Sequence, residues 1–208
     1  MSGFGASPRR VEDGRFLRGA GDYVADRDAP TALHAVFLRS PHAHAKLLSI
    51  DAAPALATPG VRLVLTGADL AVAGIGSIPS NGLAGAEHPL VEPPRPCLAT
   101  GRVRHVGEPV ACVVAESAAQ ALDAAEALYV AYEALPAVVD PYEALEEDAP
   151  RLHDDAPGNL AFIWRKGDAA GAGAAFARAA RVIEAAIPNG RISAAPIQPR
   201  AALAWPEG

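Results

Sequence analysis

Two histidines separated by one residue are the first group in the sequence with the means to do chemistry. His42 and His44 follow the apolar run at residues 33–38, which places them in a loop directly after a predicted strand. A pair with this spacing can bind a metal ion when a third ligand lies near. Histidines in such loops more often hydrogen-bond to backbone or solvent, and no other spacing resembles a metal-binding helix pair. We therefore expect turn residues and no metal site.

Two further histidines and the paired carboxylates are expected at the surface, with an interface role also open for His105. These groups are His105, which follows Arg102 and Arg104; His153 with Asp154 and Asp155, in a solvated linker; and Glu146 with Glu147, in the same acidic stretch. Their spacing suggests no acid/base geometry. No Ser/His/Asp constellation stands out either, so the sequence nominates no catalytic residue.

Two glycine-containing segments also need an interpretation. Gly74-x-Gly76 neither follows a strand nor opens a helix, and no lysine follows it, so phosphate binding is not expected. Gly107-Glu108-Pro109 stands at the entrance of an apolar run, where glycine permits a sharp turn and a carboxylate could line a cleft. The simpler alternative, a turn with an exposed Glu108, is favoured.

Three short apolar runs predict strands in the first half of the chain. They lie at residues 33–38, 46–50 and 61–65. Between the last two, Asp51 can cap a short helix over Ala52–Ala57, with Pro54 in the first turn, where a missing N–H is tolerated. The succession of strand, short helix and strand predicts a crossover and a mixed sheet.

The second half contains the clearest pair of elements. Pro109–Ala115 is almost entirely apolar, as expected for a strand covered on both faces. Ser117 and Gln120 have the spacing of a capping box, and Tyr129–Glu133 returns as a strand, which predicts a βαβ unit. The predicted helix carries one apolar face and one polar face. The apolar face comprises Ala118, Ala121, Leu122, Ala125 and Leu128, and the polar face comprises Gln120, Asp123 and Glu126.

The other segments are dominated by breakers. Glycines interrupt residues 1–30, where we expect loop with an extended piece near Tyr23-Val24. Residues 73–101 lack periodicity, and a loop of this length is usually functional or disordered. We expect it to be an ordered excursion that packs against another chain or domain.

Proline and acidic residues mark a connection in the last third, and we place a domain boundary near residue 150. Beyond it we predict a helix at residues 174–180 and strands at 182–187 and 201–205. Residues 206–208 are typical of a hairpin turn, so the chain is expected to stop in the middle of a fold.

Composition excludes several functional classes. A formal net charge of −6 and the absence of a basic run argue against nucleic acid. There is no apolar stretch of about 18 residues and no signal-like start, so no membrane association is expected. Cys97 and Cys112 form no metal or redox motif, and Cys112 is expected to be buried. The chain is therefore predicted to be cytoplasmic.

Several blocks, in order along the chain, resemble the molybdenum-binding large subunits of the xanthine dehydrogenase/aldehyde oxidase family, including its carbon monoxide dehydrogenase branch. The similar blocks are Arg10–Asp13, Arg15–Tyr23, Phe37–Ala45, Ile50-Asp51 with Pro59–Val61, Val103–Ala111, Leu122–Glu126 and Tyr132–Val138. The resemblance implies an α+β fold. It places an arm at residues 1–14, an α/β-hammerhead domain with a mixed sheet and βαβ unit at 15–150, and the incomplete start of the first molybdopterin-binding domain at 151–208.

The resemblance also implies cofactors and partners. Family members carry molybdopterin, as the cytosine dinucleotide or a related form, and work with FAD and [2Fe-2S] modules. The family's polar groups near the cofactor fall on Asn189, Arg191, Gln198 and Arg200. Here the chain departs from the usual pattern, because Gly190 replaces a glutamine and Gln198 replaces a glutamate. The chain ends before the positions of the family's glycine-rich cofactor loop and catalytic glutamate.

The leading hypothesis is a hammerhead-bearing fragment or split subunit of a molybdenum hydroxylase, with an architectural and docking role. Its partners would be the remaining molybdenum-binding chain or domain, an iron–sulfur subunit and an FAD subunit. The chain would be inactive alone and would bind no cofactor by itself. Two alternatives stay open: a non-catalytic scaffold or binding protein derived from the same domain, and a truncated gene product.

Overall fold

The computed structural model describes residues 4–5, 7, 9–27, 29–79, 90–187, 189–190, 192, 195–196 and 198–206. The chain divides into two compact units. The larger comprises residues 32–179, and the smaller comprises residues 1–31 together with 180–208. The domain boundary expected near residue 150 stays a prediction.

Six strands form two small sheets in the larger unit. They are β1 (His34–Arg39), β2 (Ala45–Asp51), β3 (Val61–Thr66), β4 (Arg102–Val103), β5 (Pro109–Ala115) and β6 (Tyr129–Ala134). The first sheet has the order β1-β5-β3 and the second has the order β4-β2-β6. The predicted strands at residues 33–38, 46–50, 61–65, 109–115 and 129–133 are confirmed, with bounds that shift by one residue or two.

The pairing of these strands differs from the expectation. Every pairing between the described strands is antiparallel. The succession β5–helix–β6 exists, but β5 and β6 lie in different sheets, as do β2 and β3. The predicted mixed sheet, with a crossover between parallel strands, is therefore wrong, while the α+β class is confirmed. Antiparallel strands need no helical crossover, so the helices here connect one sheet to the other.

Three helices belong to these connections: α2 (Ala53–Leu56), α3 (Gly67–Val72) and α4 (Ala118–Ala127). Asp51 Oδ1 accepts a hydrogen bond from Ala53 N at 2.9 Å, which confirms its predicted role at the start of α2. Sequence analysis missed α3, although Thr66 and Asp69 form a reciprocal capping box there. The hydrogen bond from the Thr66 hydroxyl is the main cause that lowers the pKa of Asp69.

Helix α4 begins as predicted but buries a different face. Ser117 Oγ accepts a hydrogen bond from Gln120 N at 3.3 Å, and the Ser117 hydroxyl donates one to Gln120 Oε1 at 2.9 Å. The buried residues of the helix are Ala121, Ala124 and Ala125. Ala118 and Leu122 are exposed. The predicted apolar stripe is therefore wrong at these two positions, because the helix presents its smallest side chains to the sheet.

Small side chains dominate the packed interior. Most of the buried apolar residues that the structure describes are alanines. One cluster joins α4 to the β1-β5-β3 sheet through Ala111, Val113, Ala124, Ala125 and Leu128, with Ala55 of α2. A second cluster joins Val110 of β5 to the β4-β2-β6 sheet through Ala45, Ala99 and Val103. Strand β5 thus contributes to both clusters, and short side chains allow the layers to approach closely.

The last part of the larger unit contains two 3-10 turns, Glu143–Leu145 and Pro157–Asn159, and helix α5 (Ala169–Arg178). Asp168 caps α5 by accepting a hydrogen bond from Gly171 N at 2.8 Å. The helix predicted at residues 174–180 is confirmed in type, but it begins five residues earlier and ends at Arg178. The reason is the Asp168 cap, which sequence analysis did not use.

The long loop predicted at residues 73–101 is confirmed where the structure describes it, at 73–79 and 90–101, where no helix or strand is assigned. Residues 80–89 lie outside the described residues. Ile78 N donates a hydrogen bond to Arg95 O, and Val91 N donates one to Ala161 O, both at 2.9 Å. These bonds tie the described ends of the loop to one another and to the later chain. Packing of the loop against another chain or domain stays a prediction.

In the smaller unit, the structure of residues 1–30 differs from the expected loop with an extended piece. Tyr23 is extended as expected, but Val24–Asp26 is a 3-10 turn in which Asp26 Oδ2 accepts a hydrogen bond from Tyr23 N. A short helix, α1 (Asp13–Phe16), stands where loop was expected.

The strands predicted at residues 182–187 and 201–205 are not formed. The apolar side chains at 182–187 are exposed, and a segment without a partner strand cannot satisfy its backbone as a strand does. Of the expected turn at 206–208, residues 207 and 208 lie outside the described residues. In the part of the chain that the structure describes, no helix is long and apolar enough to cross a membrane.

Gly67 occupies the closest approach between α3 and the segment before β4. A Cβ atom at this position would lie 2.7 Å from Ala99 O and 3.0 Å from Leu98 O. Both contacts are with backbone, which cannot rotate away as a side chain can. The start of α3 can lie this close to residues 98–99 because residue 67 has no side chain.

We predict that Gly67→Ala destabilises the fold by about 1–3 kcal/mol, the usual cost of overpacking a close contact. The matched control is Gly173→Ala in α5, where a Cβ would meet nothing within 4 Å. This control should be neutral or stabilising by about 0.5–1 kcal/mol, because alanine is the better helix former. Urea denaturation of both variants measures the difference, and equal stabilities would contradict the role given to Gly67.

Candidate functional site

The loop that carries the two histidines is held by its own serine. Ser40 is 3% exposed, and its hydroxyl oxygen accepts a hydrogen bond from His42 N at 3.0 Å and donates one to His42 O at 3.1 Å. The ring of His42 packs on Tyr132, with ring centroids 4.8 Å apart. Burial raises the pKa of Tyr132, and a hydrogen bond with Ser40 acts in the opposite direction. The segment from Ser40 to His44 is called the histidine loop below.

His44 is the buried histidine of this loop, 5% exposed. Its Nδ1 lies 2.7 Å from Pro136 O, and since a carbonyl only accepts, Nδ1 carries the proton. Its Nε2 is buried and has no hydrogen-bond partner among the residues that the structure describes. The backbone repeats the connection, because Leu135 N donates to His44 O at 2.9 Å. His44 therefore fixes the chain that leaves β6, and the expectation of a histidine bonded to backbone is confirmed.

The histidine loop is also tied to the turn that enters β5. Ser40 N donates to Glu108 O at 2.9 Å, and Gly107 N donates to Ser40 O at 2.8 Å. The guanidinium of Arg39 donates to Gly107 O at 2.8 Å. Gly107 has a φ of 85°, a conformation that glycine adopts without steric cost. The sharp turn predicted here is confirmed.

Glu108 is half-buried rather than exposed. Its carboxylate accepts a hydrogen bond from Arg104 N, so it closes the turn between β4 and β5 and does not stand free in a cleft. The expectation of an exposed Glu108 is wrong for this reason. A carboxylate that satisfies a backbone N–H at the entrance of a buried strand has a structural use.

His153 lies against the same turn and not in a solvated linker. It is half-buried, and Arg104 Nε donates to the adjacent Leu152 O at 2.9 Å. Burial lowers the pKa of His153, and the positive charge of Arg104 acts in the same direction; Asp155, Glu108 and Asp154 oppose them. The prediction of a solvated linker is wrong for His153, while Asp154 and Asp155 are exposed as expected.

Asn159 organises the acidic connection that follows β6. Its side-chain oxygen accepts from Leu152 N at 3.0 Å, and its nitrogen donates to Ala144 O at 2.9 Å and to Pro150 O at 3.0 Å. Its φ is 53°, the left-handed region that asparagine tolerates better than most residues. Sequence analysis missed this residue. The signal available was an asparagine directly after Pro157-Gly158, a typical turn sequence.

Ser40, His44 and Glu108, which lie in the blocks that resemble the family, thus form hydrogen bonds that hold their own loops. Among the described residues, no group of three or more His, Cys, Asp or Glu side chains could hold a metal ion. His105 is exposed, with Nδ1 3.1 Å from Val106 O, as expected for a surface histidine. Cys97 is exposed, and Cys112 is buried with a raised pKa caused by burial, as predicted for Cys112.

Two open cavities adjoin α3, with volumes of about 240 and 320 Å³. The first is lined partly by Gly76, Cys97 and Arg104, and the second by β2, the start of α3 and residues 99–101. The walls are mainly apolar or backbone. The absence of a phosphate-binding role for Gly74-x-Gly76 stays a prediction.

The positions nominated for a cofactor lie in the smaller unit. Asn189 and Arg200 are exposed, and Gln198 is half-buried. None of the three lies in a helix or strand, and Arg191 lies outside the described residues. Because none of the three lies in an element and two of them are exposed, we derive no catalytic step through a pterin dinucleotide.

Comparisons with known proteins agree on one family. The family model for the aldehyde oxidase and xanthine dehydrogenase a/b hammerhead domain matches residues 18–136. The carbon monoxide dehydrogenase large chain of Afipia carboxidovorans is 38% identical over 210 residues, which cover 95% of this chain and 25% of the relative. The nicotine 6-hydroxylase large subunit of Paenarthrobacter nicotinovorans is also 38% identical, over 95% of this chain and 24% of its own length.

Solved structures show the same likeness. Reconstituted CO dehydrogenase from Oligotropha carboxidovorans matches with a TM-score of 0.67 and 40% identity, over 85% of this chain and 22% of that one. Quinoline 2-oxidoreductase from Pseudomonas putida 86 matches with a TM-score of 0.62 and 46% identity, over 76% and 19%. The chain thus spans about a quarter of the length of the curated relatives it matches.

We predict that a series at Asn159 separates hydrogen bonding from backbone conformation. Asn159→Gly keeps the left-handed φ but loses three hydrogen bonds, at about 1 kcal/mol each. Asn159→Ala adds the cost of a positive φ, about 1 kcal/mol more. Asn159→Asp keeps the acceptor for Leu152 N but loses both donors. Hydrogen exchange of the amides between residues 144 and 159 should accelerate in the order Asp, Gly, Ala, and unchanged exchange in all three would contradict the assignment.

A second prediction concerns pH. Because the pKa of His153 is lowered in the folded chain, the unfolded chain binds the proton more readily, and folding loses stability as pH falls below about 6.5, the pKa of an unperturbed histidine. His153→Gln should weaken this loss of stability, whereas the matched control His105→Gln, at an exposed position, should leave it in place. Urea denaturation at pH 7.5 and pH 5 measures both, and parallel behaviour of the two variants would refute the prediction.

Proposed function

The chain belongs to the aldehyde oxidase and xanthine dehydrogenase family, whose hammerhead domain it carries at residues 18–136, and from this premise we propose that it acts as a docking framework within a molybdenum hydroxylase. In this role it supplies a folded domain against which cofactor-bearing polypeptide packs. The reacting groups belong to that other polypeptide.

The hydrogen bonding of three polar residues in the family-like blocks is the observation that carries this proposal. Ser40, His44 and Glu108 belong to the blocks that resemble the family most, and each forms a side-chain hydrogen bond with neighbouring backbone. His44 Nε2, which has no partner among the described residues, is itself buried and does not face solvent. A catalytic group must present a free atom to its substrate. Residues spent on internal loops serve a scaffold better than an active site.

The lengths and names of the relatives support the same role. Matching relatives are described as a large chain, a large subunit and a complex subunit gamma, and one as a large molybdopterin subunit. This chain corresponds to about a quarter of the first two. We propose that the remaining large-subunit polypeptide is its principal partner, and that modules carrying FAD and [2Fe-2S] complete the assembly in the cytoplasm.

The cofactor assignment follows from the family resemblance. We propose that residues 15–150 act as the hammerhead domain and that residues 151–208 begin a molybdopterin-binding domain. Asn189, Arg191, Gln198 and Arg200 are the positions that would face molybdopterin, as the cytosine dinucleotide or a related form. Their amide and guanidinium groups suit a phosphate-bearing ligand. Gly190 offers no side chain, so this chain contributes less to such a site than the family pattern would.

Native purification with metal analysis tests the proposal. The tagged chain, expressed in its own host, should elute in a complex that contains molybdenum, iron and flavin. An isolated, metal-free monomer would contradict it and favour the scaffold or truncated-product alternatives, which the altered segment at residues 189–200 already supports. The matched control is Gly67→Ala, which should lose the complex in proportion to its loss of folded protein.

A further inference from the structure

The β1-β5-β3 sheet carries apolar side chains on both faces. Helix α4 covers one of them, and on the other Val110, at the start of β5, packs into the second cluster, while the residues further along the strand are not part of that cluster. On the covered face, Val36, Val113 and Val64 pack toward the helix. Side chains alternate along a strand, so the residues between them point to the opposite side. We call that side the outer face, and it consists of Ala35, Phe37, Leu63, Leu65, Cys112 and Val114.

The register arranges the outer face as two apolar rows. Ala35 and Leu63 both pair with Val114, and Phe37 and Leu65 both pair with Cys112. Each row therefore runs across all three strands without a polar side chain. Cross-strand neighbours on one face lie close enough to form a continuous surface.

This surface remains open to solvent at its edges. Phe37 is 47% exposed and Leu63 is 44% exposed, while Cys112 at the centre is 8% exposed. Charged groups stand at the rim: the Arg39 guanidinium lies 6.0 Å from the centre of the Phe37 ring, and Arg62 pairs with Glu116. An apolar centre with a polar rim is the usual anatomy of a protein interface.

We propose that the outer face is the docking surface for an apolar face of the remaining large-subunit polypeptide, an inference that rests on the proposed function. The lengths of the relatives indicate which polypeptide occupies this face. The relatives match this chain over 95% of its length, yet about three quarters of their own length lies outside the matching segment. A partner of that size supplies a surface that this chain lacks. A second copy of this chain is the competing occupant, and the experiment distinguishes the two.

The test measures thiol reactivity in two settings. In a Cys97→Ser background, Leu63→Cys places a reporter on the outer face, and Val139→Cys, at a position 76% exposed, serves as the matched control. Each variant is prepared as the full chain alone. Each is also prepared inside the Afipia carboxidovorans carbon monoxide dehydrogenase large chain, where this chain replaces the matching segment.

Maleimide modification, followed by mass spectrometry of the peptide, should be at least about tenfold slower at Leu63→Cys in the chimera than in the chain alone, since the core of an interface excludes solvent. Val139→Cys should react at the same rate in both. As a second measurement, the double variant Phe37→Ser/Leu63→Ser should lower the Tm of the chimera more than that of the chain alone.

Three results would overturn the proposal. Equal reactivity of Leu63→Cys in both settings, in a chimera that assembles with its partner subunits, would reject the docking face and leave the proposed function standing. Protection of Leu63→Cys in the chain alone, lost on dilution, would assign the face to a second copy. A chimera that never forms a soluble large chain would contradict the proposed function and this inference together.

Discussion

Every residue of β5 from Val110 to Ala115 is apolar, so both faces of the sheet that it centres must be removed from water. Backbone pairing with β1 and β3 satisfies its edges. Helix α4 covers one face with alanines, which permits close approach at the expense of area buried per residue. At its beginning, Val110 joins the second cluster. The two sheets and α4 are therefore organised around this one strand.

The position of β5 is fixed by the turn that precedes it, and polar residues of the family-like blocks hold this turn. Ser40 and Gly107 exchange backbone hydrogen bonds across the entrance, while Glu108 closes the turn below it. His44 anchors the chain that leaves β6. Since buried polar groups are usually hydrogen-bonded, Ser40 and Glu108 bond within the loops that they hold, and His44 does so through Nδ1, while its buried Nε2 has no partner among the described residues. The residue types resemble those of a metal or acid/base site, but their partners are backbone atoms.

Local sequence patterns predicted most of the strands and helices but did not predict which strands pair with one another. The apolar runs located five strands, since runs of β-branched and aliphatic residues carry that signal locally. The sheets were mispredicted because no local pattern records which strand pairs with β2 or β5. The run at 182–187 has the same composition but no partner, so it forms no strand. For the site, the sequence identified the histidine loop and Gly107 but missed Asn159, whose three bonds reach residues 7 to 15 positions away.

The β1-β5-β3 sheet is apolar on both faces, and helix α4 packs on one of them. Apolar side chains on the other face therefore stay partly exposed to solvent. Among the described residues, no second helix covers the other face of this sheet. Layers lined by alanine bury little area, and a second helix would need an apolar stripe of its own. The long segment at residues 73–101 contributes loop rather than helix where it is described. Polypeptide from outside the chain is then the natural source of the missing layer. The short side chains that permit close packing around β5 thus leave the outer face available for the docking that we propose.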